Sequence, residues 1–262
     1  MYLGNDLVHW SGDTAGEKEV ENRTTRRFFD RILHESENAL LVVLGKTGNR
    51  LATISLPRFQ ALWMLWAAKE AVFKAAMKAT PGLVFSPRAI PVRITRSVDD
   101  FDRWWPLRRD TGFSSPTVPL AHGWTRVQDR FYDILWEYGQ GFVHALALGP
   151  RAGRSVGPPW ARVIHGVESD DILLQEPCDV LERASRAARY LARRLAGSVS
   201  SIGDRAMTLQ IVRTVASTGR LSPPRIYSAT EPLNMDLTMS HDGPWIAAGL
   251  FLHEEFSSPS FP

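Results

Sequence analysis

A glutamate and a lysine one helical turn apart have the residue types and spacing to handle a phosphate through a metal ion. They belong to the segment Trp66–Lys74, which reads WAAKEAVFK. Residues four apart share one face of an α-helix, so Trp66, Glu70 and Lys74 are predicted to lie together. A carboxylate in this place can bind a divalent cation while the ammonium binds a phosphate oxygen. An ordinary Glu–Lys helix pair beside a packed tryptophan is the alternative.

A second acid lies in the first predicted strand, within the sequence Gly4-Asn5-Asp6. An acid in an apolar strand is costly to bury without a partner. Mg²⁺ commonly takes one or two carboxylates together with waters and substrate phosphates. Asp6 is therefore a candidate metal ligand beside Glu70, although the alternation of a strand also allows an exposed position.

Further polar groups are predicted to surround this pair. Ser240-His241 falls where a strand meets a turn, from which side chains can reach a ligand; a solvated histidine is the alternative. A basic cluster precedes the long helix, and a second one follows later in the chain. Their arginines are Arg23, Arg26, Arg27 and Arg31, then Arg183, Arg186, Arg189, Arg193 and Arg194. Basic clusters attract phosphates, acidic proteins, membranes or nucleic acid, and a solvated helix face is the alternative for each.

Apolar periodicity predicts the elements that must position these residues. The predicted helices are Thr25–Leu33, a short one from His34, Pro57–Thr80, Asp179–Ala196 and Asp204–Ala216. The predicted strands are Tyr2–Val8, Ala89–Thr95, Tyr132–Trp136, Gly141–Leu148, Arg162–Val167, Arg225–Ser228, Met235–Met239 and Trp245–Leu252. The stretch Arg96–Gly123, rich in Pro, Gly, Ser and charge, is predicted to be a loop.

The second part of the chain repeats the first. Asp133–Trp136, a turn and Phe142-Val143 resemble Asp236–Met239, a turn and Trp245-Ile246. This similarity predicts an α+β fold of two similar subdomains related by a pseudo-twofold axis. We expect one unit over residues 1–150, another over 160–262, and a Gly/Pro-rich linker at 149–159.

Composition favours a globular protein. The chain has 262 residues, of which 44% are hydrophobic and 23% charged, with a formal net charge of +3. Such a length can bury one or two cores. The single cysteine, Cys178, excludes an intramolecular disulfide. No apolar run is long enough to span a bilayer and no basic segment precedes an apolar one, so we expect a cytoplasmic protein without a membrane role.

Taken together and in this order, the motifs resemble the 4'-phosphopantetheinyl transferase superfamily. That superfamily carries a Gly-x-Asp strand, a Trp-x-x-Lys-Glu-Ala-x-x-Lys helix and a Ser-His strand–turn followed by small residues. A fourth similarity joins Arg27–Leu33 and Glu37 to the Arg-Phe-x-x-Arg-x-Leu-x-x-x-Glu stretch of its holo-acyl-carrier-protein synthase branch. The motif order is that of this branch, whereas the length and the repeat indicate two fused units.

The resemblance implies Mg²⁺-dependent transfer of 4'-phosphopantetheine from coenzyme A to a serine of an acidic carrier protein. It implies Asp6 and Glu70 as metal ligands, and Glu70 and Lys74 as catalytic residues. The coenzyme A phosphates would be bound by Lys74, Ser240, His241 and, more weakly, Lys69. Arg27, with Arg23, Arg26 and Arg31, would bind the carrier.

Only one of the two units is expected to retain a competent site. Counting back from Ser222 as from Ser86 places Ala206 opposite Glu70 and Gln210 opposite Lys74. The acid that the surfactin-type branch carries two residues after the first Asp is Val8 here, which leaves the third metal ligand open.

Two other functions are weighed against the transferase. A non-catalytic member of the same fold would bind coenzyme A or carrier proteins without transfer. A nucleic-acid-binding module is suggested only by the sequence pI of about 9.2 and the arginine-rich helix. No zinc-finger spacing or aromatic RNA-binding motif supports that last function, so we expect no nucleic-acid partner.

Overall fold

The fold combines four helices with eleven strands in the part of the chain that is described. The computed structural model describes residues 1–10, 23–44, 58–96, 117–139, 141–152, 160–173, 180–199, 202–215, 219 and 221–253. The helices are α1 (Arg23–Ile32), α2 (Glu35–Leu44), α3 (Arg58–Ala79) and α4 (Val180–Gly197). The strands are β1 (Tyr2–His9), β2 (Arg93–Arg96), β3 (Val118–Val127), β4 (Arg130–Gly139), β5 (Phe142–Arg151), β6 (Val163–Ser169), β7 (Gln210–Val212), β8 (Arg225–Ser228), β9 (Glu231–Pro232), β10 (Met235–Asp242) and β11 (Trp245–Leu252).

The first unit is a five-stranded antiparallel sheet covered on one face by α3. Its strand order is β1-β5-β4-β3-β2. Strands β4 and β5 form the predicted hairpin, and β1 pairs with β5 along its whole length. Small residues on α3, among them Ala67, Ala68 and Ala71, are completely buried against the sheet. Because their side chains are short, they let the helix backbone approach the strands closely.

The second unit repeats this arrangement in three strands. Its sheet has the order β10-β11-β6, and α4 covers one face through Ala188, Leu191 and Leu195. Strand β6 pairs with β11 of the hairpin β10–β11, just as β1 pairs with β5 of the hairpin β4–β5. A separate small sheet, β7-β8-β9, lies beside β10.

The uncovered faces of the two main sheets pack against each other. One apolar cluster between them contains Leu3, Leu146 and Phe251, and a second contains Leu7 and Val167. The protein therefore has four layers, helix, sheet, sheet and helix, with sheet-on-sheet packing at the centre. This architecture confirms the predicted α+β class, whereas the pseudo-twofold axis and the division into two domains stay predictions.

Three parts of the predicted secondary structure are wrong. The predicted loop Arg96–Gly123 includes the first residues of β3. The predicted helix Asp204–Ala216 is instead the 3₁₀ helix Gly203–Thr208 followed by β7. The predicted linker 149–159 begins inside β5, which continues to Arg151. Short 3₁₀ turns and irregular strands lack the long apolar period that identifies regular elements.

Candidate active site

Two carboxylates meet on one ammonium group where α3 crosses β1. Lys74 Nζ lies 2.6 Å from Asp6 Oδ1 and 3.9 Å from Glu70 Oε2. It also donates a hydrogen bond of 3.0 Å to the carbonyl oxygen of Asn5. The structure therefore brings together the acids that the sequence proposed as metal ligands, with the predicted catalytic lysine between them.

Gly4 permits this close crossing. A Cβ added at Gly4 would lie 1.9 Å from the carbonyl oxygen of Ala71, far inside van der Waals contact. Any side chain would therefore push α3 away from β1. Because Glu70 and Lys74 flank Ala71 on the helix, the glycine of the Gly-x-Asp motif sets how near they come to Asp6.

The electrostatics of the pair favour a bound cation. Burial raises the pKa of Asp6 above its ordinary value, and the Lys74 ammonium offsets only part of that rise. Burial also raises the pKa of Glu70, and the negative charge of Asp6 raises it further. Two acids with raised pKa values at one place mark a site where negative charge is crowded and desolvated.

Lys69 does not belong to this site, which corrects the prediction that it binds a coenzyme A phosphate. Its ammonium is completely buried, 2.8 Å from Glu37 Oε2, and it donates to the carbonyl oxygens of Pro87 and Ile90. Glu37 Oε1 in turn accepts a hydrogen bond from the backbone of Val92. Adjacent residues on a helix point about 100° apart, so Lys69 joins α2 and the segment before β2 to α3 while Glu70 faces β1.

Lys78 is a buried lysine that the sequence reasoning missed. It lies one turn beyond Lys74, and its ammonium donates to Asp236 Oδ2 at 2.8 Å and to the carbonyl oxygens of Leu3 and Leu237. The same Asp236 oxygen accepts the backbone N–H of Leu3. This ion pair joins the helix of the first unit to β10 of the second. Its continuation of the four-residue spacing was the available signal.

Strand β10 lies beside β1 and presents alternate side chains to it. Thr238 accepts the backbone N–H of Asn5 at 3.1 Å, and Asp242 accepts that of His9 at 2.9 Å. Ser240 lies between these two in sequence and is buried, and its Oγ has no hydrogen-bond partner among the described residues.

The exposed end of β10 carries the predicted histidine. His241 is exposed and, by strand alternation, points to the opposite face of β10 from Ser240. The structure places no contact between His241 and the acid pair. The neighbouring Asp242 is close enough that its charge raises the pKa of Asp6. Asp242 is thus a third acid near the site, which the sequence reasoning did not identify.

The predicted carrier-binding arginines lie on α1. Arg27 and Arg31 are exposed, and the side chains of Arg23 and Arg26 fall outside the described part of the structure. Phe28 packs against Trp66, with ring centroids 5.2 Å apart. The tryptophan of the α3 motif therefore holds the arginine helix one turn away from Glu70.

A groove of about 910 Å³ lies at the far end of α3, between Lys78, Val84 and the small sheet. Its walls include Leu221 and Arg225, and none of the predicted site residues lines it. The acid pair and this groove are therefore separate features of the surface.

The two residues of the second unit that were predicted to correspond to Glu70 and Lys74 do not lie where the sequence count put them. Ala206 is in a 3₁₀ helix and Gln210 is in β7, so neither is on a counterpart of α3. The counterpart is α4, which faces its sheet with Leu191 and Leu195. Counting back from Ser222 failed because extra elements intervene between α4 and that residue.

The class of site is thus a buried aspartate and a partly exposed glutamate beside one lysine, set between a helix and a strand of an α+β protein. Residues 2–106 match the family model of the 4'-phosphopantetheinyl transferase superfamily. This match, which covers less than half of the chain, confirms the resemblance drawn from the motifs. The match contains Asp6, Glu70 and Lys74 and ends long before Ser240. No curated protein and no solved structure matches the chain. Among the described helices, none has the length and apolar character needed to cross a membrane.

Proposed function

We propose that the chain transfers 4'-phosphopantetheine from coenzyme A to a serine of an acidic acyl or peptidyl carrier protein, with Mg²⁺, in the cytoplasm. The observation that carries this proposal is the meeting of Asp6 and Glu70 on Lys74, within the segment that matches a transferase superfamily. A structural ion pair would need one acid, whereas two crowded acids suit a divalent cation.

The donor set fits Mg²⁺. Asp6 and Glu70 offer hard carboxylate oxygens, and their raised pKa values show that each lacks full compensation for its charge. When bound, Mg²⁺ supplies charge neutralisation to the pyrophosphate of coenzyme A. We propose Asp6 and Glu70 as its protein ligands, with Asp242 as the nearest further acid.

The chain's own residues then manage the proton and the leaving group. The serine oxygen of the carrier forms a bond to the β-phosphorus while the pyrophosphate P–O bond breaks and 3',5'-ADP leaves. The Glu70 carboxylate accepts the proton of the serine hydroxyl, for which its raised pKa suits it. Lys74, whose side chain is partly exposed, donates a hydrogen bond to the phosphate oxygens.

Coenzyme A and the carrier are proposed to approach from different sides of this site. His241, exposed beside Asp242, would bind a coenzyme A phosphate from the second unit, with Ser240 on the buried side of the same strand. Arg27 would bind the acidic carrier, because α1 is held against Trp66 next to the Glu70 turn. Such charge complementarity raises the association rate and weakens with salt.

The test is incubation of the chain with coenzyme A, Mg²⁺ and a panel of apo-carrier proteins, read by intact mass. We expect one carrier to gain the mass of one phosphopantetheine per serine, only with Mg²⁺. Glu70→Gln should abolish the gain, whereas Glu182→Gln, an exposed glutamate on α4, should not. Mg²⁺-dependent binding of coenzyme A without transfer to any carrier would instead identify a non-catalytic member.

A further inference from the structure

Three side chains of the types that bind metal ions meet in the apolar layer between the two main sheets. They are Glu137 from β4, His144 from β5 and His165 from β6, and each is at most 1% exposed. The first two belong to the first unit and the third to the second unit. None of them has a part in the proposed transfer reaction.

The geometry of the three side chains is that of a ligand set. One donor atom from each lies within 4.8 Å of the others. His165 Nε2 is in very close contact with Glu137 Oε1, and His144 Nδ1 is 3.5 Å from Glu137 Oε2. Both carboxylate oxygens are therefore directed at imidazole nitrogens from different strands.

Among the described residues, the ion-pair partner of His144 is Glu137, which does not satisfy the imidazole by a well-formed hydrogen bond. It is completely buried, and neither of its ring nitrogens makes a hydrogen bond to any described residue. The 3.5 Å approach to Glu137 is an ion-pair distance with poor hydrogen-bond geometry. A buried imidazole normally has at least one partner, because leaving its nitrogens unsatisfied is costly.

The surroundings make this polar cluster expensive without a cation. Leu7, Phe142 and Val167 form the apolar cluster on one side, and Leu135 and Leu146 belong to the cluster on the other. A buried carboxylate in such a layer must be neutralised. Burial alone would raise the pKa of Glu137, yet His165 and His144 hold that pKa well below its usual range, so the acid stays ionised.

We propose that Glu137, His144 and His165 bind one divalent transition-metal ion, Zn²⁺, between the two sheets. Two imidazole nitrogens and one carboxylate oxygen are a set that Zn²⁺ accepts readily, with a fourth position for a non-protein ligand such as water. Mg²⁺ is disfavoured there because it prefers oxygen ligands. The ion would satisfy His144 and neutralise Glu137 at once.

Such an ion would join the two units through β4, β5 and β6. It would also lie near the acid pair, since His144 and Asp6 already influence each other's pKa. The proposed zinc centre is nevertheless separate from the proposed Mg²⁺ ligands, because the two sets share no residue.

The first test measures metal in the full chain. Protein purified without added metal should contain about one zinc per chain, or bind one after dialysis against a chelator. Zn²⁺ should then raise the melting temperature, and Glu70→Gln should respond equally because it alters only the other site. Protein that neither retains zinc nor melts at a higher temperature with Zn²⁺ would overturn the proposal in favour of a buried, protonated histidine–glutamate pair.

The second test removes one ligand. His144→Leu keeps the bulk and leaves the Glu137–His165 contact intact, so we expect zinc affinity to fall at least tenfold while the protein still folds. His122→Leu, a partly exposed histidine of β3, is the matched control and should bind zinc as the wild type does. Unchanged affinity in His144→Leu would refute the site. If that variant does not fold, Co²⁺ in the wild-type protein is decisive: strong tetrahedral absorption supports the ligand set, and a weak octahedral spectrum contradicts it.

Discussion

The two units of this protein share the order of three strands and a covering helix, but differ in the side chains that the helix presents to the first strand. In the first unit, α3 presents Glu70, Lys74 and Lys78 to β1, and Asp6 of β1 contacts Lys74. In the second unit α4 faces its sheet with leucines and alanines. The first strands of the two units also differ at one position. Asp6 of β1 pairs with Ala145, whereas the residue of β6 that pairs with Ala248 is a glycine, Gly166.

The difference teaches how one architecture can serve two purposes. Burying ionisable groups under α3 costs solvation energy, as the raised pKa of Asp6 and the lowered pKa of Lys78 show, both caused first by burial. The apolar contact under α4 carries no such cost. Groups that are kept despite such a cost are candidates for function. Substitutions in the first unit are therefore expected to have larger effects than matched substitutions in the second unit.

Glu70→Gln should cause the largest loss, on the order of 10³-fold in transfer rate, because it removes a metal ligand and the proposed base. The fold should persist, since Gln keeps the size of the side chain and removes repulsion from Asp6. Rates are measured with a carrier protein by intact mass and folding by circular dichroism. Glu182→Gln on α4 is the control. Normal turnover in the Glu70 variant would contradict the claim that the first unit carries the catalytic carboxylate.

Lys78→Met should destabilise the protein by about 3 kcal/mol, because it leaves the Asp236 carboxylate buried without its counter-ion. Urea unfolding gives the free energy. Arg186→Met on α4 breaks only an exposed pair with Glu182, so its effect should be about 0.5 kcal/mol or less. Equal losses of unfolding free energy in the two variants would mean that the buried ion pair under α3 stabilises the fold no more than an exposed pair does.

Gly4→Ala and Gly166→Ala compare the first strands of the two units directly. The new Cβ at Gly4 clashes with the Ala71 backbone, so a loss of about 2 kcal/mol is expected together with weaker Mg²⁺ binding. At Gly166 the Cβ would meet Leu191 and Leu195 at 3.6 and 3.5 Å, which is ordinary contact. Thermal unfolding of both variants tests this, and a tolerant Gly4 would show that close helix approach is not required.

Arg27→Glu should have the smallest effect, a rise of about tenfold in the KM for the carrier. The kcat should change little, because the substitution weakens association with the carrier and does not alter the transfer step. The rise should shrink at high salt. Arg186→Glu, an exposed arginine of the second unit, should leave the KM unchanged. A fall in kcat alone would place Arg27 in the reaction and not in docking.

The sequence could predict the acid pair because its signals are local. The four-residue spacing on α3 and the Gly-x-Asp strand each depend on a few neighbouring residues, and the bounds of α3 and β11 were predicted to within one residue. Strand β3 was missed because Pro119 and Gly123 are typical of loops. Its pairing with β4 accommodates Pro119 through an irregular register between Pro119 and Ala121, whereas Gly123 pairs regularly with Ile134. Pairing between strands is a long-range property that local composition does not reveal.

Side chains whose partners are distant in the chain could not be assigned. Lys69 is bound by Glu37, 32 residues away, and Lys78 by Asp236, 158 residues away. The buried contact between Glu137 and His165 likewise depends on how two sheets pack. A lysine on a helix is ordinarily exposed, so only the tertiary structure distinguishes these buried lysines from solvated ones.

Mg²⁺ binding followed by calorimetry at several pH values tests the acid pair most directly. The raised pKa values mean that protonation of Asp6 and Glu70 stabilises the metal-free fold below their ordinary pKa values, and that this contribution is lost as pH rises through the raised ones. Mg²⁺ competes with those protons, so its affinity should increase with pH across that window. The affinity should fall at least tenfold in both Asp6→Asn and Glu70→Gln. Equal affinity in the wild type and these variants, or affinity independent of pH, would contradict the account.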